Sequence, residues 1–403
     1  MKCVPACVTL LALNMLALMG CEADNVTSLY DPNATSRPDP VISSVTPSDR
    51  AFAGIDIVTI TGQNFSSVPE ENFVYFDDQL GVVQSASAAQ LAVKAPVLIK
   101  SGVNLRIAVH KASKFSNAIS YDLIAAVENF YKFLEIEEPW TIACDAQDNV
   151  YPTVLVNSLG EGVKKITPDG QKSDYSPKPS GTAARYNGLK FGPGGFLYGV
   201  TFERRILQIP AGGGAPVNWV VIANTVLRLN DLDFDREGNL WTAGNVDLHR
   251  VKPDKTVRSF PFVGVVRSVR IFNGAVYLAG NRDNTEKIWR VPIVSADEVG
   301  AEEVYFDFSS RYNGAALAIT FAADGDLYIG TDAPESIVVV HPDKSAEALY
   351  PGLFVAPGIS FAWGTTDFLY LTQQGSIADD IQQTILKVNM LKKGAPYYGR
   401  GDQ

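Results

Sequence analysis

Histidine, cysteine and positive charge are all scarce in this chain of 403 residues. There are 3 His, too few for a His-rich metal site. There are 4 Cys, and Cys3, Cys7 and Cys21 fall within the leading stretch. Beyond it only Cys144 remains, so no disulfide framework can staple the rest of the fold. Lys and Arg number 34 against 44 Asp and Glu, a formal net charge of −10. A protein that tracks a nucleic-acid backbone needs a basic surface, so that class is set aside. No Walker-type or Gly-x-Ser-x-Gly pattern occurs. Ala211-Gly212-Gly213-Gly214 lies between strands and reads as a hairpin. What the chain does have is apolar mass: 46% hydrophobic against 19% charged residues. That balance excludes wholesale disorder and supports two or three packed domains.

The chain opens with Lys2 and a mostly apolar run, Val8–Met19. The run is shorter than the about 20 residues of a spanning helix and suits the core of a signal peptide. It ends in Leu18-Met19-Gly20-Cys21, which resembles a bacterial lipobox. The resemblance implies a signal peptide at 1–20, cleavage before Cys21 and lipidation of its thiol. Two or three acyl chains hold a protein stably on a bilayer. Residues 21–39 have the polar, Pro-containing composition of a tether. Glu22 and Asp24 directly follow the anchor. An acidic start of this kind accompanies display on the outer face of some Gram-negative outer membranes, and that location is expected here.

Residues 40–122 hold short β-branched runs parted by turn residues: Val41-Ile42, Ile57-Val58-Thr59-Ile60-Thr61, Phe73-Val74-Tyr75-Phe76, Leu91-Ala92-Val93 and Leu105-Arg106-Ile107-Ala108-Val109. This is an all-β pattern. Gly62-Gln63-Asn64-Phe65 reads as a turn that returns Phe65 to the core. The order of Pro40-Val41-Ile42, Thr61-Gly62-Gln63-Asn64-Phe65 and Val93-Lys94-Ala95-Pro96 resembles the IPT/TIG immunoglobulin-like family. The resemblance implies a β-sandwich without catalytic machinery, acting as a spacer.

Residues 126–403 repeat one unit. A Gly- or Asp-containing turn is followed by a strand with an aromatic residue: Tyr151, Tyr198, Trp241, Tyr277, Tyr328 and Tyr370. These anchors recur about every 44 residues, the period of a propeller blade. A further strand follows each, as in Val163–Ile166, Ile206–Ile209 and Ile337–Val340. The set resembles NHL-repeat and gluconolactonase-like six-bladed propellers. An open ring would leave an unpaired edge. Asn129–Leu134 is expected to complete the last blade, with Ala395–Tyr398 as the alternative.

Gluconolactonase-like propellers hold a divalent metal at the channel mouth, with Glu, Asn and Asp ligands just before the inner strands. Carried onto this chain, that station falls at Trp140, Asn187, Asn230, Leu317 and Ile359, and near Ser268 in the fourth repeat, whose turn is shorter. Asn187-Gly188 and Asn230-Asp231 match the family's motifs, but Trp140 stands where the family has Glu. Ca²⁺ needs six to eight oxygen ligands, several of them carboxylate, and this set falls short. No metal, cofactor or catalytic residue is therefore assigned. Cys144 reads as a small buried hydrophobe, and His249 and His341 as surface or turn residues. The expected channel face carries Trp140, Tyr186, Asn187, Asn230, Asp231, Arg267, Tyr312 and Asn313. Arg185-Tyr186-Asn187-Gly188 recurs as Arg311-Tyr312-Asn313-Gly314. Aromatic faces beside amides suit sugar rings. These readings favour an all-β, monomeric, lipid-anchored binding protein for an extracellular glycan or protein. A propeller hydrolase or lyase on the same anchor is the alternative.

Overall fold

The computed structural model describes residues 36–180, 185–224, 227–376 and 380–402. The signal peptide, Cys21 and most of the tether fall outside the described residues. The chain divides into two units between Leu123 and Ile124. Among the described residues no helix is long and apolar enough to cross a membrane.

Eight strands over residues 41–124 hydrogen-bond in the order Val41–Thr46, Ile57–Gln63, Gln90–Lys94, Gln79–Ala86, Asn72–Phe76, Lys100–Val109, Ile119–Ile124 and Arg50–Phe52. Side chains alternate between faces, so Val58 and Ile60, Val74 and Phe76, Leu91 and Val93, and Leu105 and Ile107 meet in one core. At the Gly62–Phe65 corner only Asn64 has a positive φ, 64°. Gly62 is required for close approach instead: a methyl there would run into the Val41 carbonyl and the Phe65 ring.

The second unit is six radial sheets. Their inner strands are Glu137–Cys144, Tyr186–Phe191, Leu229–Phe234, Val265–Phe272, Ala316–Phe321 and Gly358–Trp363. The aromatic anchors lie on the second strands and are buried between blades. Their recurrence has a local cause in the first and third blades. Asp145 accepts from the Asn149 backbone N–H at 2.9 Å and from Tyr151 Oη at 2.7 Å. Asp235 accepts from the Asn239 backbone N–H at 2.9 Å and from Trp241 Nε1 at 2.7 Å. One carboxylate thus shapes the turn and satisfies the polar atom of the buried ring.

The ring closes through its N-terminal strand. Val127–Lys132 pairs antiparallel with Thr384–Asn389, with Val127 opposite Val388 and Lys132 opposite Thr384. Ala395–Tyr398 does something else. Ala395 N–H donates to Phe321 O at 2.9 Å, Tyr397 Oη to Cys144 O at 2.8 Å and Tyr398 Oη to Arg236 O at 3.1 Å. Arg400 Nη1 reaches Gly364 O at 3.4 Å. The chain end therefore braces four blades across one end of the channel. Cys144 is buried and free, as its apolar setting suggests. His249 corrects the sequence reading: it is 1% exposed, bonded to Ser259 Oγ at 2.8 Å and Val246 O at 3.1 Å, and burial pushes its pKa down. His341 is half-buried, and its hydrogen bond to Asp326 at 2.9 Å raises its pKa.

Candidate functional site

Every inner strand carries a bulge at the same station. The unpaired residues are Asn187, Asn230, Arg267, Leu317 and Ile359, and in the first blade Trp140 with Thr141. A bulge re-aims one side chain out of the ladder. Trp140, Asn187, Asn230, Arg267, Leu317 and Ile359 form a half-buried ring at the channel end opposite the tail. In the fourth blade the station is Arg267, one residue before the expected Ser268.

An inner strand is the edge of its sheet, so its outward backbone groups need partners from the next blade. The ring supplies part of them. Asn187 Nδ2 donates to Leu229 O at 2.9 Å and Asn230 Nδ2 to Val266 O at 2.6 Å. Arg267 Nη1 reaches Ala316 O at 3.4 Å. Each bond joins a station to the residue just before the next station. One N–H of each Asn amide is thus committed, leaving each with its second N–H and its carbonyl oxygen.

One step down the channel the same logic uses acceptors. Asp231 Oδ2 accepts from Val269 N at 2.9 Å, Ser268 Oγ at 2.8 Å and Arg270 Nη1 at 2.7 Å. Ser268 Oγ accepts from Ile319 N at 3.2 Å, and Ser360 Oγ from Ile142 N at 3.1 Å. Asp231 is buried and belongs to this blade-to-blade network.

The other expected residues separate. Trp140 lies under the Arg185 guanidinium, 3.6 Å from the ring centroid, and burial lowers the Arg185 pKa. Tyr186 is fully buried in the core between blades, so it does not reach the mouth. Arg267 forms a bidentate pair with Glu286 at 2.6 and 2.9 Å, which also holds the Glu286 pKa below its usual value despite burial. Tyr312 stacks on Phe308 at 5.2 Å, while Asn313 is exposed four residues before its own station, Leu317. The two Arg-Tyr-Asn-Gly segments therefore occupy different registers. The mouth holds two side-chain amides and a paired guanidinium, and the carboxylates beside it, on Glu286 and Asp231, are both committed. Among the described residues no group of three or more His, Cys, Asp or Glu side chains could hold a metal ion. These residues do not fit the family's cation.

The interior charges escaped the sequence reading. Lys190, Asp233 and Arg270 are buried three residues past their stations, in strands otherwise apolar or small at this depth. That register was the available signal. Together with Trp363 and Tyr397 they surround a void of about 30 Å³, too small for a sugar. Asp233 Oδ2 accepts from Ile271 N at 2.9 Å, and burial raises its pKa. Burial lowers the Lys190 ammonium from 10.5 to about 8. Below pH 8 folded and unfolded chains both hold this proton, and the folded state bears the full cost of a buried charge. Between 8 and 10.5 the unfolded chain holds the proton and the folded chain sheds it, so this contribution to stability rises with pH. Lys190→Met is expected to stabilise the fold by about 1–3 kcal/mol at pH 7, with the gain shrinking towards pH 10. Paired thermal melts of variant and wild type at both pH values check this. A gain independent of pH would dissociate it from the lysine's charge.

Comparison with known proteins places this geometry. The IPT/TIG domain family matches residues 40–122, and that stretch is an IPT/TIG domain. No curated protein matches the chain in sequence. Among solved structures, a protein of unknown function from Bacteroides thetaiotaomicron VPI-5482 superposes with a TM-score of 0.52 at 14% identity, over 89% of this chain and 99% of its own. An auxiliary nutrient binding protein from Bacteroides ovatus ATCC 8483 gives 0.50 at 13% identity, over 89% and 99%. A protein provisionally described as a gluconolactonase gives 0.52 at 15% identity, over 67% and 94%. At these identities the likeness is one of fold. The chain is an all-β protein in which an immunoglobulin-like IPT/TIG domain precedes a six-bladed β-propeller.

Proposed function

We propose that this is a non-enzymatic binding protein of the cell envelope, whose propeller mouth takes an extracellular glycan. In this reading Cys21 is lipidated, the protein faces outward from the outer membrane, and the IPT/TIG domain is a spacer. The observation that carries it is the composition of the bulge ring. Trp140 offers an aromatic face, Asn187 and Asn230 offer carbonyl oxygens for sugar hydroxyls, and Leu317 and Ile359 add apolar walls. Catalysis by a propeller hydrolase would call for a free carboxylate at this ring, and the two beside it are committed: Glu286 to Arg267, and Asp231 to the strand network. The Bacteroides ovatus neighbour, described as nutrient binding, agrees with this reading.

Trp140→Ala is expected to weaken glycan binding by about 1–3 kcal/mol, the scale of a large side chain's burial. Asn187→Ala and Asn230→Ala should each cost less binding, about 0.5–1.5 kcal/mol for a neutral hydrogen bond. Calorimetric titration with neutral polysaccharide fragments measures all three. Unchanged affinity in Trp140→Ala would move the site away from the mouth, and a wild type that binds no glycan would leave a protein as the ligand. Cys21→Ser is expected to release the folded protein from the membrane fraction. A Ser variant that still sediments with membranes after a high-salt wash would remove the anchor from this account.

A further inference from the structure

The mouth face carries a concavity beside the ring, between the second and third blades. It is a cleft of about 730 Å³, within the range of small-ligand sites. One wall is the Phe202–Arg205 turn that follows the strand Leu197–Thr201. The other is the entry to the third blade at Arg228, with Asn245 beside it. Tyr186 pairs with Thr201 and Leu229 with Gly244, so both walls stand at the blade end that bears Asn187 and Asn230.

The charge of this cleft opposes that of the protein. The chain carries −10 overall, yet the lining holds Arg204, Arg205 and Arg228 against Glu203 alone. Glu203 pairs with Arg205 at 2.8 Å. Among the described residues no carboxylate lies within ion-pair distance of Arg204 or Arg228. Arg205 Nη1 donates to Ser180 O at 2.9 Å, whereas its Nη2 is buried without a partner among the described residues. A buried donor left unmade calls for an acceptor. Arg228 lies over the half-exposed Phe202 ring at 4.5 Å, and Asn245 Oδ1 accepts from its backbone N–H at 2.7 Å. A guanidinium stacked on a ring keeps its in-plane N–H fork free, the geometry that grips a planar oxyanion in two places.

We propose that this cleft binds the anionic group of an acidic saccharide, a carboxylate or sulfate on the sugar, while Phe202 packs against its C–H surface. The inference rests on the glycan-binding reading and adds the ligand's charge to it. The site is separate from Trp140, so the two stand or fall by different substitutions.

The test uses the full chain with four probes: tetragalacturonate, its methyl ester, an oligomeric dextran sulfate and the matching dextran. We expect at least one acidic probe to bind about tenfold or more tightly than its neutral counterpart, the scale of a charge-assisted hydrogen bond. That preference should fade at about 0.5 M salt, as screening shortens the reach of the charges. Arg204→Ala and Arg228→Ala should each weaken the acidic probe by about tenfold, with melting temperatures unchanged because both side chains line an open cleft. The carboxylate and sulfate arms separate the two anions. Equal binding of charged and neutral probes, no binding of either acidic probe, or acidic binding indifferent to both Arg substitutions would overturn the proposal. Neutral probes that bind through Trp140 beside such a result would leave the mouth reading standing. Acidic binding that needs Arg228 and ignores Trp140 would uphold the cleft and overturn the mouth.

Discussion

A chain that begins at Trp140 is expected to be insoluble, or to melt far below one that begins at Ala126. The residues lost are few, but they close the ring. Val127–Lys132 is the outer strand of the sixth blade, and without it Thr384–Asn389 becomes an exposed edge with unpaired backbone groups. Phe133 is 1% exposed and packs against Ile142, Tyr370 and Ile385. Phe130 meets the Tyr370 ring edge-on at 4.8 Å. The Phe133 N–H donates to Gln383 O at 3.0 Å, and Gln382 Nε2 donates to Phe133 O at 3.1 Å. Glu137, which pairs with Lys172 at 2.5 Å, goes too. Each fully buried large apolar side chain contributes about 1.5–3 kcal/mol. Two or three such losses, with the ladder bonds, reach the about 5–15 kcal/mol that stabilises a whole domain. Circular dichroism melts of the two chains decide the matter. Equal melting temperatures would mean that the tail, which braces Phe321, Cys144 and Gly364, also holds the ring shut.

The limits of reading this architecture from sequence follow from the same geometry. Periodicity locates anything that repeats with the blade, so the anchors and the station ring were legible. The fourth station slipped by one because its turn is the two-residue Asn273-Gly274, with φ of 44° and 71°, where the other blades use five residues. Tyr186 was misjudged because adjacency to Asn187 suggested a shared face. The bulge turns Asn187 outward and leaves Tyr186 in the core. The Arg-Tyr-Asn-Gly repeat misled for a related reason: identical letters sit at different distances from their bulges. The C-terminal brace lies outside the repeats, so no period announces it. The Arg204–Arg228 cleft joins a turn of one blade to the entry of the next, a neighbourhood that only the assembled ring creates.

Asp231→Ala is expected to destabilise the propeller by about 3–5 kcal/mol, the scale for breaking a buried ion pair from one side. Asp231 and Arg270 are 8% and 6% exposed, and their pair at 2.7 Å lies inside the channel. The alanine would strand the Arg270 guanidinium, which keeps only the Val269 carbonyl at 2.5 Å and already has a buried Nε without a partner. It would also orphan the Val269 N–H, which has nowhere else to turn because Val269 lies on an inner, edge strand. Asp231→Asn should cost less, since an amide oxygen can still accept from that N–H. Adding Arg270→Met to Asp231→Ala should recover much of the loss, because the uncompensated charge is then gone. Chemical denaturation of the three variants yields the comparison. It also separates two roles that the Asn230-Asp231 motif left open in the sequence. A carboxylate that serves the blades lowers stability when removed, and any loss of binding follows from that. If Asp231→Ala instead melted with wild type and lost glycan affinity, the carboxylate would be a ligand contact and the strand network would have a substitute.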